Sequence, residues 1–181
     1  MNLNAIVQKL KWMLILPLAL LASACSTIEH SASVKLDPQA NWVMLPIANL
    51  SDTPQAGLRL ESILESQLRA TSVKSLKRYP AEVGADLLLD PRENRAQEQA
   101  ALWAREQGAR YAIGGTVNEW RYKTGVDGEP AVGITLQIVN PQDGTVIYSA
   151  SGAKTGWSRE ALAAVAQKLS RELLDKAGLK P

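Results

Sequence analysis

Apolar residues recur along this chain in two periods, and their order predicts the elements of an α/β domain. Asn41 to Ile47 reads N-W-V-M-L-P-I, a β-rich apolar run long enough for a buried strand. Asn49, Ser51 and Asp52 then supply turn and capping chemistry, and Pro54 suits the first turn of a helix, where its missing N–H costs nothing. Leu60, Ile63, Leu64 and Leu68 fall on one helical face, with Arg59, Glu61, Glu65 and Arg69 on the others, so an amphipathic helix packing on a sheet is expected. Val73 to Tyr79 reads as a short second strand closed by Pro80. Ala81 to Asn94 reads as a loop containing one helical turn, because Asp90-Pro91 stops the apolar Leu87-Leu88-Leu89. Arg95 to Gln107 predicts a second helix, ended by Gly108.

Three antiparallel strands follow, Tyr111 to Tyr122, Val132 to Asn140 and Val146 to Ser151. Turn residues join them: Gly125, Asp127-Gly128 and Pro130, then Pro141-Gln142-Asp143-Gly144. Gly114-Gly115, inside the first of these strands, predicts a bulge or a close backbone approach. Ser158 is placed to cap a last helix running to about Ala177, with Leu162, Val165, Leu169 and Leu173 as its buried stripe and Gly178 as its stop. The order β-α-β-α-β-β-β-α predicts a two-layer or three-layer α/β sandwich with a mixed sheet, one domain spanning residues 41–181.

Residues ahead of this domain break the pattern. Ser26 to Ala40 is polar and small, which predicts a flexible tether; about 15 such residues reach roughly 20 Å. Before it stand Lys9 and Lys11, an apolar stretch from Trp12 to Leu21 that is short for a membrane span, and Leu21-Ala22-Ser23-Ala24-Cys25. These residues resemble the signal peptide and cleavage site of a bacterial lipoprotein. The resemblance implies removal of residues 1–24, a diacylglyceryl group on the Cys25 thiol and an N-acyl chain, such as palmitate, on its amino group, giving a lipidated tether over 25–40. Ser26, where an Asp would favour retention, implies the periplasmic face of the outer membrane.

Composition narrows the chemistry. Loss of Lys9 and Lys11 brings the formal charge from +2 to near zero, so nucleic acid is not an expected partner. The single cysteine permits no internal disulfide. The single histidine, His30, lies in the expected tether, which excludes most nucleophilic triads, and no His/Cys/Asp/Glu spacing suits a metal or cofactor. Gly114-Gly115 has no lysine and no following helix to make a phosphate loop. Glu119, Asp127 and Glu129 could pair as hydrolytic carboxylates, but Asp-Gly is ordinary turn chemistry. A non-enzymatic binding or assembly surface remains. Trp120 and Trp157, each set among charges and glycine, suit a sugar, protein or membrane-interface contact, with Arg159 beside Trp157; capping an end of the core is the plainer role, more for Trp120 than for Trp157, which immediately precedes the expected helix cap.

Three segments carry a more specific likeness: L-P-I-A-N-L-S-D-T-P-Q-A-G from Leu45, G-G-T-V-N-E-W-R-Y-K-T-G-V-D-G-E-P-A-V-G from Gly114, and S-G-A-K-T-G-W-S-R-E-A-L from Ser151. Together with the cysteine motif they resemble the PelC family, outer-membrane lipoproteins of the Pel exopolysaccharide secretion system. The first motif is also similar to curli-secretion lipoproteins and lipoprotein activators of cell-wall synthases. The PelC resemblance implies a homo-oligomeric ring, a dodecamer, under the outer membrane. Its implied partners are a β-barrel exporter with a repeat-containing scaffold and a cationic, partly de-acetylated aminosugar polymer. In that scheme Asp127, Glu119 and Glu129 would guide the polymer, and Trp157, Trp120 and Arg159 would meet the membrane or a partner. A monomeric activator of a periplasmic cell-wall synthase is the rival reading.

Overall fold

One mixed sheet links every strand among the described residues. The computed structural model describes residues 26–32, 34–80, 92–125 and 128–180. In chain order the elements are β1 (Ser26–His30), β2 (Asn41–Asn49), α1 (Ala56–Arg69), β3 (Ser75–Arg78), α2 (Arg92–Glu106), β4 (Tyr111–Tyr122), β5 (Pro130–Val139), β6 (Val146–Thr155) and α3 (Leu162–Lys176). The strands form a single mixed sheet in the order β1-β6-β5-β4-β2-β3, parallel where β2 meets β3 and β4 and antiparallel elsewhere.

The two periods sort the layers. Leu60, Leu64 and Leu68 of α1 and Val165, Leu169 and Leu173 of α3 are all buried in one core with Trp42, Met44, Ile113, Ile134 and Ile138 from the sheet. Ile63, expected in that stripe, is only half-buried at its margin. The other face is thinner. Val43, Ala104, Ala109 and Ala112 make a small second cluster under α2, with Trp103 and Leu45 packed beside it. The described residues form three layers near β2 and two elsewhere.

Pro46 shows how a strand interior tolerates a proline. Having no N–H to donate, it sits where the β2–β4 register shifts between Met44 and Ile47. The Ile47 N–H then donates to Glu61 Oε1 of α1 at 2.9 Å, and Gln97 Nε2 donates to the Pro46 carbonyl. Gly115 is required nearby, since a Cβ there would stand 2.0 Å from the Thr135 carbonyl oxygen.

Several expectations are corrected. Ser26–His30 is a strand, not tether: it pairs antiparallel with β6, and Ile28 packs onto the core through the space left by Gly152. Residues beyond it also lie on the body, with Leu36 against the core and the Trp42 indole N–H donating to the Asp37 carbonyl. The element order therefore gains an N-terminal strand. Neither α1 nor α3 has the predicted side-chain cap: Gln55, in the left-handed region, precedes α1, and Ala161 rather than Ser158 precedes α3. Asn49 instead closes its own turn, accepting from Ser51 and donating to the Thr53 carbonyl. Gly178 does end α3, with positive φ and a Leu179 N–H reaching back to the Leu174 carbonyl. The helix expected from Arg95 begins at Arg92, and the loop reading of 81–94 otherwise falls outside the described residues.

Candidate functional site

One end of the sheet gathers several of the residues that the sequence singles out, Glu129, Trp157 and Arg159 among them. Ser26 stands opposite Lys154, Ala131 opposite Thr155, and Tyr122 opposite Pro130. Register alone therefore brings together the start of β1, the β4–β5 hairpin and the exit of β6 toward Trp157. Cys25 immediately precedes that first strand residue and, like residues 1–24, lies outside the described residues. Ser26 Oγ and Lys154 Nζ both donate to the Glu172 carboxylate of α3, at 3.2 and 2.6 Å, so this end of β1 is tied to sheet and helix.

Beyond β6 a tight turn presents Trp157. Gly156 donates to the Pro130 carbonyl and must lack a side chain, because a Cβ would lie 2.5 Å from Val165 Cγ2. Glu160 closes the turn: its carboxylate accepts from the Trp157 N–H and from Lys168 Nζ, while its own N–H donates to the Trp157 carbonyl. Those bonds, Lys168 foremost, hold the Glu160 carboxyl below the ordinary range. Arg159 takes a positive φ at the apex and is exposed, and Trp157 is 57% exposed. Tyr122 donates its hydroxyl to the Glu160 carbonyl and is also exposed. Sequence reading missed Tyr122, although its place two residues after Trp120 on a strand would have marked it.

Trp120 is corrected as a surface contact. It is buried among core residues, its Nε1 has no hydrogen-bond partner among the described residues, and its carbonyl accepts from the Thr53 hydroxyl. Strand alternation puts it inward, and a bulge between Val117 and Glu119 sets that phase. The acids divide. Glu119 lies on the outer sheet face and pairs with Arg121 at 2.8 Å. Glu129 stands at the hairpin, 3.8 Å from Lys123. Asp127 lies outside the described residues. His30 is on β1 rather than in a linker, with its ring 6.4 Å from that of Tyr148.

A polar trough of about 640 Å³ crosses the outer sheet face, floored by Gly133 and Ala153 and edged by Glu29, Asp52 and Leu50. Beside it a hydrogen-bonded row, Thr116–Asn118–Thr135–Ser151, spans β4 to β6. Among the described residues, no group of three or more His, Cys, Asp or Glu could hold a metal ion, and no helix is long and apolar enough to cross a membrane.

No family model and no curated protein matches this chain. Among solved structures, the PelC dodecamer of Paraburkholderia phytofirmans is 36% identical over 87% of this chain and 100% of its own, with a TM-score of 0.72. The chain belongs to the PelC family. A point variant of the same dodecamer matches at 36% identity over 86% of this chain and 100% of its own, with a TM-score of 0.73. The lipoprotein GNA1162 of Neisseria meningitidis, 14% identical over 77% of this chain and 98% of its own with a TM-score of 0.52, shares the fold alone. For a PelC-family chain the mixed six-stranded sheet with three helices is thus the family architecture, and the expected fold class holds.

Proposed function

We propose that this PelC-family protein is a non-enzymatic lipoprotein of the outer membrane's periplasmic face that assembles as a homo-oligomeric ring and guides a cationic exopolysaccharide to a β-barrel exporter. The observation that carries this reading is the position of Ser26: β1 begins directly after Cys25, at the sheet end that also presents Trp157 and the acid-bearing hairpin. Acyl chains on Cys25 would bring that end against the bilayer, since the anchor has almost no free length. Trp157 and Arg159 would then meet the interface, as an indole and a cation commonly do. Asp127 and Glu129, with Glu119 further along the sheet, would attract the polymer's amines near the pore. The dodecameric state of the Paraburkholderia relative supports the ring.

The test is export. Asp127→Asn with Glu129→Gln should lower secreted polymer several-fold while leaving membrane fractionation and oligomer size unchanged; undiminished secretion overturns the guiding role. Cys25→Ser should move the protein out of the membrane fraction and lower export with the fold intact. A wild-type protein that is strictly monomeric after membrane extraction would favour the cell-wall-synthase activator instead.

A further inference from the structure

Among the described residues, one face of the sheet is covered and the other is largely bare. α1 and α3 close the first; α2 closes only the part of the second under β2. The rest of that second face carries small and polar side chains, and it sinks to the trough floored by Gly133 and Ala153. Its charge is negative. Glu29 and Asp52 have no ion-pair partner among the described residues, whereas Glu119 is matched by Arg121. Leu50 stands at the rim and is 64% exposed, an apolar side chain on an otherwise polar surface.

The opposite side of the molecule is its counterpart. The outer surface of the helical layer has a groove of about 440 Å³ between α1 and α3, lined by Ile63, Ala164, Lys168 and Arg171 with no acidic side chain. Lys168 also bridges outward to Glu160. Arg171 Nη1 is shielded from solvent yet has no hydrogen-bond partner among the described residues.

A ring is built by a heterologous contact, in which each copy offers two different patches. With twelve copies, as in the Paraburkholderia relative, neighbours turn by about 30°, so the patches must face nearly opposite ways. The two outer faces of a layered sandwich do so. We propose that the trough face of one copy receives the α1–α3 face of the next, with Leu50 seated against Ile63 and Ala164, and Glu29 and Asp52 facing Arg171 and Lys168. This rests on the ring reading above and names its contact surfaces. In this arrangement Glu119 belongs to the subunit contact, so the guiding role given to it above passes to the β4–β5 hairpin, which carries Glu129.

Charge reversal tests it by native mass spectrometry of the lipidated protein extracted from membranes, with circular dichroism confirming the fold. Glu29→Lys with Asp52→Lys, or Lys168→Glu with Arg171→Glu, should each lower the ring fraction by roughly tenfold or more at equal concentration. Mixed in equal amounts, the two variants have complementary faces again and should restore rings of alternating composition. Leu50→Lys, at an exposed position, should disperse the ring without unfolding the chain. Intact rings in both charge variants and in Leu50→Lys overturn the face assignment while leaving the ring. Failure of the mixture to reassemble folded variants overturns it too. A monomeric wild type overturns both readings.

Discussion

Glu61 is the residue on which the β2 register leans. It is only 4% exposed, and its two carboxylate oxygens serve two elements: Oε1 takes the Ile47 N–H freed by the bulge at Pro46, and Oε2 pairs with Arg78 of β3. Glu61→Ala would strand a buried N–H and half of a partly buried ion pair, although Arg78 retains Glu65. A loss of about 2–3 kcal/mol in urea unfolding is expected, with Glu61→Gln losing less because its amide oxygen still accepts from Ile47. Glu160 works at the surface and is pH-sensitive. Its folded carboxyl titrates below the ordinary 4.5, chiefly through Lys168, so the contribution is complete above about that value and is lost as pH falls through the lower, folded one. Trp157 emission, taken as the difference from Trp157→Phe, should change in that acid range, stay flat over about pH 6 to 8, and lose the transition in Glu160→Gln. The sequence pattern placed Glu61 only on a helix face and gave Glu160 no role of its own. Their partners are distant in the chain or on another element, and no periodicity points to them.

Among the elements, β1 and the helix starts departed furthest from the pattern. β1 reads as tether because an edge strand obtains its hydrogen bonds from the backbone and here buries only one apolar side chain, Ile28, opposite Gly152. Ile28→Ser should release it: amide exchange over Thr27–Ser31 should accelerate, the remaining strands should stay protected, and stability should drop by about 1–2 kcal/mol. Unchanged exchange would mean that pairing to β6 alone holds the strand. α1 and α3, by contrast, were legible through their leucine stripes, since burial of a helix face repeats every turn. Their first residues were not, because Gln55 and Ala161 begin the helices through backbone geometry that no capping residue announces.

At the scale of the molecule, Ser26, next to the proposed lipid, and the hairpin that carries Glu129, one of the acids proposed to guide the polymer, share one end of the sheet. A domain whose anchor precedes a fixed strand has its orientation constrained, unlike one on a reach of roughly 20 Å. In vesicles containing brominated acyl chains, the emission of Trp157 should therefore be quenched in the lipidated protein, and Trp157→Phe should remove that quenching while the core indoles Trp42 and Trp120 contribute little. Equal quenching in wild type and Trp157→Phe would place this end away from the bilayer.

Local order belongs to the sequence by itself: the succession of strands and helices from β2 onward, the leucine stripes of α1 and α3, and the turn glycines at 108 and 178 all follow from short-range periods and backbone constraints. Burial and partnership came with assembly of the layers. Trp120 and Trp157 have similar neighbours in sequence, yet one lies in the core and the other faces solvent, because the bulge at Val117/Glu119 sets the phase of β4 while Gly156 turns the chain off the end of β6. The gathering of Ser26, the hairpin and Trp157 at one end is likewise a product of strand register, which joins residues more than a hundred positions apart and leaves no trace in any local pattern.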